Sequence, residues 1–452
     1  MEFPFGKTAF WLLLLGVFTG ALIINLHKDK PKRPDLVMVV FHPTHKQAYS
    51  QAIHQFESKH NVRVQVQVVD VRSLPHRLNS ALLANAEIPD IVETEVTSLG
   101  YFTKGPRENW GFSDLRPFLE RDQLLKSFVP SRLAALEIEG SIMGLPHDVH
   151  PVVLLYRRDI VDSLGISTDS IQTWQDLLAL APRIMQHPSG APTGRYLLDL
   201  PDSGDEWLML LLLQKDLWPV GKDQTFSMNI PQMAKVFSWY AHQVAGPTRT
   251  AFPAGWGQGF YTAIRDGLVV FTLVPDWRTK MVMEALPEMA GKLALMPLPA
   301  WEEGARRTSV MGGSCLMISR KSNNKELAWE LAKAIYLNPA VKETFYQLTH
   351  VVPAYMPAWN ISSLHEPSAY FSDQKIGELF LHLIPETPAA YQHPYSKFIR
   401  KKLNDVLSLA IVYYRQKGDD GLTSYIIKQL EAVEATIQET IATEIWSTVH
   451  AH

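Results

Sequence analysis

From residue 36 onward, short apolar runs alternate with stretches of helical periodicity. Residues 36–41 (LVMVVF) are continuously apolar, the pattern of a strand in a parallel sheet covered on both faces. His42, Pro43, Thr44 and His45 are expected to form the loop at its carboxyl end. Residues 47–59 carry Ala48, Ala52, Ile53 and Phe56 at helical spacing. Val62, Val64, Val66 and Val68 then alternate with Arg63, Gln65 and Gln67, a period-two strand. This β-α-β opening predicts a right-handed parallel crossover. Residues 74–85 read as the next helix, and 86–92 lead into a strand that ends at Glu93, Thr94 and Glu95. Ligands of open α/β sheets collect at such strand ends.

The middle of the chain changes character. Glu139 and Gly140 close a turn, and Gly144, Leu145 and Pro146 drive the chain into an extended segment. His147 and Asp148 open that segment, residues 152–156 are a continuous apolar strand, and Arg157, Arg158 and Asp159 begin a helix. Gly165 stops it; Thr173 and Trp174 start another that runs to about Met185. Asp205, Glu206 and Trp207 introduce the apolar run 208–213, too short to span a bilayer and read as a core helix. The glycine-rich stretch 254–260 (AGWGQGF) lacks the lysine and spacing of a phosphate loop and reads as a surface turn. In 264–277, a helix ends at Gly267, a strand follows, and Pro275, Asp276 and Trp277 sit at its outgoing end. Leu327, Leu331 and Ile335 form one face of a helix that Asn338 and Pro339 stop. Ile426, Leu430, Val433, Ile437, Ile441 and Ile445 mark a packed terminal helix.

The N-terminus is different. Residues 8–24 are uncharged, at the short edge of a spanning helix and long for a signal-peptide core. No small-x-small cleavage site is evident, so residues 1–27 are expected to be an uncleaved membrane anchor or a cleaved signal, with 28–35 a basic, proline-bearing linker. Lys28, Lys30, Lys32 and Arg33 outweigh Lys7, which by charge bias alone would keep the body in the cytoplasm.

Composition narrows the function. A net charge of −3 gives no support to nucleic-acid binding. The single Cys315 rules out an intramolecular disulfide; its apolar setting is a strand interior, not that of a nucleophile. Sixteen histidines invite a metal, but His42/His45 and His147/His150 are loop pairs, no H-E-x-x-H occurs, and neither metal nor cofactor is expected.

The segment 137–178 resembles the stretch "dGkiyGlP…yYNkdlf…kaGi…TWdEl" of family 1 extracellular solute-binding proteins, the sugar-type binding subunits of ABC importers related to maltose-binding protein. Weaker pieces follow in the same order: 86–92 resembles "aG.aPDvv", 264–277 resembles "f..GkaAM.i.gpW", and 352–354 resembles "lPa". The resemblance covers about residue 36 to the C-terminus. It implies an α/β, two-lobed, periplasmic-binding-protein-like fold with hinge crossings. Lobe 1 is expected at 36–147 with 298–337, and lobe 2 at 148–297 with 338–452. It also implies an exported body, overriding the charge bias, a small-molecule solute (a mono- or oligosaccharide), and ABC permease subunits as partners. An anchored sugar sensor without transport and a glycan hydrolase using Asp148 and Glu95 are the alternatives.

Sugar rings call for flat aromatic walls and fixed polar groups. Trp277 resembles the family's ligand-stacking tryptophan and is either that wall or a core residue. Trp207 is a second wall candidate, whereas Trp174 resembles a packing residue. Asp148, Asp276, Glu93 and Glu95 are acceptor candidates for hydroxyls, with turn capping or solvation as the other readings. His42 and Thr44 lie where the family's first loop meets ligand, although the family commonly has an aromatic there. Gly313, with Gly312, would let a backbone approach ligand closely or simply make a tight turn.

Overall fold

Valine- and leucine-rich runs build two five-stranded mixed sheets. The computed structural model describes residues 6–26, 33–186, 189–190, 193–204 and 206–450. The first sheet contains β1 (Leu36–Val40), β2 (Val64–Val68), β3 (Ile91–Glu95), β6 (Leu145–Pro146) and β12 (Ser314–Ile318) in the order β2-β1-β3-β12-β6. A two-stranded hairpin, β4 (Glu137–Ile138) and β5 (Ser141–Ile142), precedes β6. The second sheet contains β7 (Val152–Arg157), β8 (Tyr196–Asp199), β9 (Ala251–Phe252), β10 (Val269–Pro275) and β11 (Leu293–Pro297) in the order β11-β7-β10-β8-β9. β1 runs parallel to β2 and β3, as the β-α-β opening predicts, while β12 returns antiparallel to β3 with Ser314 opposite Glu95.

The continuous apolar runs follow from burial on both faces. On β1, Met38 and Val40 enter one core while Val39 enters another. The first core also takes in Leu155, Val274 and Leu295 of the second sheet, so it is shared by both. A further core lies on the other face of the second sheet, where Leu154 and Phe271 meet Leu211, Phe237, Leu403 and Leu430 from four helices. Each fully buried leucine or phenylalanine contributes roughly 1.5–3 kcal/mol.

The helix after β1 spans Pro43–His60, so it begins earlier than apolar periodicity alone suggests. Pro43 fits its first turn, His42 caps it by accepting the Thr44 N–H at 3.3 Å, and Asn61 ends it at φ 52°. Thr173 and Asp176 form a capping box before Trp174, and the single helix expected there is two, Trp174–Leu178 and Ala181–Met185.

The chain crosses between the sheets three times, and the crossings lie side by side. Residues 147–151 join β6 to β7, residues 298–313 join β11 to β12, and residues 350–354 follow the helix Pro339–Thr349. The first crossing pairs with both others: Val149 N–H donates to Val352 O at 3.1 Å, and Met311 N–H donates to His150 O at 3.4 Å. At the N-terminus, Gly6–Leu26 is a helix of 21 residues, but among the described residues no helix is long and apolar enough to cross a membrane. The expected membrane anchor therefore finds no support there. Residues 28–32 of the expected linker and Asp205 lie outside the described residues.

Candidate functional site

Beside the crossings a cleft of about 640 Å³ opens between the two sheets. One wall is aromatic. Trp277 lies in the first turn of the helix Asp276–Ala285 that follows β10, and its indole stacks against Trp256 with centroids 5.8 Å apart and planes 12° from parallel. Trp256 is 41% exposed. Behind it lie Trp207, 4.8 Å away, and the Arg278 guanidinium, 4.1 Å from its ring centroid. Trp218, held by its indole N–H donating to Tyr391 O at 2.8 Å, also lines the cleft. The floor is Gly312, Gly313 and Arg132. Gly313 stands at φ 128°, and any side chain there would coincide with the Arg132 guanidinium, so glycine is required. The opposite wall includes Glu95, Thr97 and Ser98. Glu95 is exposed at the end of β3; partial desolvation raises its pKa, opposed by Lys397 and Arg400.

The sheets also touch at the rim. Gly100, in the helix Leu99–Phe102, lies under His393 and Pro394, which precede the helix Ser396–Lys417. Two reciprocal cation–π pairs flank that contact: Lys104 Nζ is 4.5 Å from the Tyr395 ring centroid, and Lys397 Nζ is 4.4 Å from that of Tyr101.

Of the residues singled out from the sequence, Trp277, Glu95 and Gly313 line the cleft. Trp207 does not: it is 1% exposed and supports Trp256 from behind. Glu93, Asp148 and Asp276 are likewise no more than 1% exposed, because their oxygens are already committed. Asp276 accepts from Trp277 N–H at 2.8 Å, His150 Nδ1 at 2.6 Å and Val352 N–H at 2.8 Å. Asp148 accepts from Ser314 N–H at 2.9 Å and pairs with His147 and His150. Glu93 accepts from Tyr49 and Tyr336 hydroxyls, both at 2.7 Å, and pairs with His45. Asp148 and Asp276 tie the crossings together, and Glu93 ties β3 to the helices Pro43–His60 and Lys325–Tyr336, instead of facing solvent. A glycosidase-type pair of Asp148 with Glu95 is therefore not assembled in the cleft. His42 is spent as a helix cap, and neither it nor Thr44 lines the cleft. The stretch 254–260, expected to be a plain turn, instead supplies Trp256. A tryptophan between Gly255 and Gly257 was the signal, since no regular element there could bury it.

The hinge network has strong electrostatics. Burial would raise the Glu93 carboxyl, but His45, and then His147 and Tyr336, hold it at about 2. Burial would lower His150, but Asp148 and Asp276 carry it up to about 10. Lys342 goes the other way: burial pushes it down to about 7, only partly opposed by Asp148 and Glu93, and its ammonium has no hydrogen-bond partner. Among the described residues no group of three or more His, Cys, Asp or Glu side chains is disposed to hold a metal.

Two mixed sheets, three adjacent crossings and an aromatic cleft match a known architecture. The family model described as bacterial extracellular solute-binding protein matches residues 51–357. The chain belongs to this family. Among curated solute-binding relatives, the arabinooligosaccharide-binding protein of Bacillus subtilis (strain 168) is 23% identical over 364 residues, covering 79% of this chain and 82% of that one. The lactose-binding protein of Rhizobium radiobacter is 27% identical over 271 residues, covering 58% of this chain and 61% of that one. Among solved structures, the sugar-binding protein MalE from Xanthomonas citri superposes with a TM-score of 0.73 at 18% identity, covering 90% of this chain and 99% of that one. That likeness bears on the fold, and it agrees with the two-lobed architecture expected of a solute-binding protein.

Proposed function

We propose that this protein captures a saccharide in the cleft by hinge closure and presents it to an ABC-type permease at the outer face of the membrane. The stacked pair Trp256 and Trp277 carries the reading: two parallel indoles on a cleft wall offer the flat apolar surface that sugar C–H faces need, with Glu95 across from them as a hydroxyl acceptor. The names of the curated relatives, which bind arabino-oligosaccharides and lactose, support it. On this reading the lobes keep the expected bounds, lobe 1 at 36–147 with 298–337 and lobe 2 at 148–297 with 338–452, except that the helix Pro339–Thr349 joins lobe 1, because it precedes the third crossing and packs on the helix Pro43–His60. The crossings act as hinges, and ligand shifts the open–closed equilibrium by touching both lobes only when closed. The N-terminal segment serves export, and no covalent chemistry occurs. Calorimetry of the full chain against neutral oligosaccharides tests this: binding is expected, and Trp277→Ala should weaken it at least about ten-fold. Unchanged binding by that variant would remove Trp277 from the site, and mass spectrometry showing a co-purifying non-sugar solute would overturn the saccharide reading.

A further inference from the structure

Trp256 sits on a segment with no regular structure. Residues 253–257 join β9 to the helix Gln258–Arg265, and the indole lies between Gly255, at φ 74°, and Gly257. A large side chain on such a segment keeps its rotamer freedom, and ordering it when a solute binds costs affinity. Yet this indole, 41% exposed, stands within 12° of parallel to Trp277.

The order comes from outside the segment. Arg278 follows Trp277 in the first turn of the same helix and is 1% exposed. Its Nη2 donates to Gly255 O at 3.0 Å, one residue before Trp256. Its guanidinium carbon also lies over the Trp256 ring at 4.1 Å and over the Phe260 ring at 3.6 Å. A planar cation can stack on a ring and donate in its own plane at once, which a compact ammonium cannot. Asp199, fully buried at the end of β8, holds the same segment from a second side. Its carboxylate accepts from Ala254 N–H at 3.1 Å and from the Thr272 hydroxyl at 3.3 Å. Burial pushes Arg278 down to about 10, opposed first by Asp199, and pushes Asp199 up to about 6, opposed first by Arg278. The two buried charges therefore compensate each other across the segment that carries Trp256. A buried pair of this kind adds little stability over apolar side chains of the same volume, so its stability alone does not explain it.

Building on the saccharide reading above, we infer that Arg278 is the positioning residue of the aromatic wall: stacked on Trp256 and bonded to Gly255 O, it holds the segment so that Trp256 lies parallel to Trp277 before the solute arrives. Arg278 touches no solute itself. It acts through Trp256, and Asp199 anchors the other end of the clasp.

Calorimetry of the full chain against neutral gluco- and galacto-oligosaccharides, run as a double-mutant cycle with Trp256→Ala, tests this. Arg278→Lys keeps the charge beside Asp199 and loses the plane, and it should bind roughly three- to ten-fold more weakly. In the Trp256→Ala background the same change should alter affinity by less than about two-fold, because the residue through which Arg278 acts is gone. A loss of equal size in both backgrounds would overturn the assignment, since a general effect on folding does not depend on Trp256. A second arm needs no sugar. The Trp256 indole N–H resonance, identified by its absence from Trp256→Ala, is displaced by the ring current of Trp277 in the ligand-free protein. Arg278→Lys and Arg278→Met should both return it toward the position of a free indole while the other tryptophan resonances hold. A resonance unmoved in both variants would overturn the inference. If the parent protein binds no saccharide, the saccharide reading falls, and the resonance still decides whether Arg278 sets the indole pair.

Discussion

Gly100→Ala should separate closure from folding. A Cβ at Gly100 would sit 2.6 Å from His393 O and 3.1 Å from Pro394 O, both backbone atoms across the cleft rim. An ordinary carbon–oxygen contact is about 3.3 Å, so the rim would have to open by roughly 0.7 Å. Overpacking of that kind costs about 1–3 kcal/mol. Gly100 lies within the short helix Leu99–Phe102 and does not stand at positive φ, so in the open form alanine carries no strain and gains up to ~1 kcal/mol of helix propensity. On the reading that this rim contact is made only on closure, the penalty falls on the closed form alone. Because ligand binds by stabilising that form, the loss passes directly into apparent affinity, a drop of roughly 5- to 100-fold. The assay is calorimetry with the tightest-binding oligosaccharide found, alongside thermal unfolding of the ligand-free protein and small-angle scattering with and without ligand. An affinity equal to the parent's would refute the reasoning, as would a weakening matched by an equal loss of ligand-free stability.

Other outcomes follow from the same contacts. Lys342→Met should stabilise the protein most at neutral and acid pH. The folded pKa of about 7 lies below the ordinary 10.5, so the burial penalty is fully present below pH 7 and fades as pH rises toward 10.5. At ~1.4 kcal/mol per pH step this sets a ceiling of roughly 5 kcal/mol, and urea unfolding at pH 6 and pH 10 should show the gap narrowing. A pH-independent gap would refute it. Asp148→Asn should cost about 3–5 kcal/mol in the same assay at pH 7, since it strips the buried partner from His150 and the crossing at Ser314. Trp207→Ala should cost about 3–5 kcal/mol of stability, whereas Trp256→Ala, on a 41% exposed side chain, should cost far less stability but at least about ten-fold in sugar affinity. Equal thermal shifts in those two variants would contradict the placement of Trp207 behind Trp256.

Much of the architecture was readable along the chain. The valine run of β1, the alternation in β2 and the continuous apolar strands of the second sheet are local signals, because one buried face imposes period two and two buried faces impose a solid run. Trp277 and Glu95 could likewise be placed on the cleft, since both sit at strand ends. The fate of Asp148, Asp276 and Glu93 could not be read there. Whether a carboxylate meets solute or a buried histidine depends on partners 44 to 166 residues away, such as Tyr49, His150, Ser314 and Val352. Lys397 and Arg400 reach the cleft only because the C-terminal helices fold back onto the second sheet. Sequence by itself determined which segments must be strands, helices and turns, because periodicity is a property of neighbours. Tertiary structure alone decided which polar groups lost their water to one another and which kept a face toward the cleft, because desolvation depends on elements far apart in the chain.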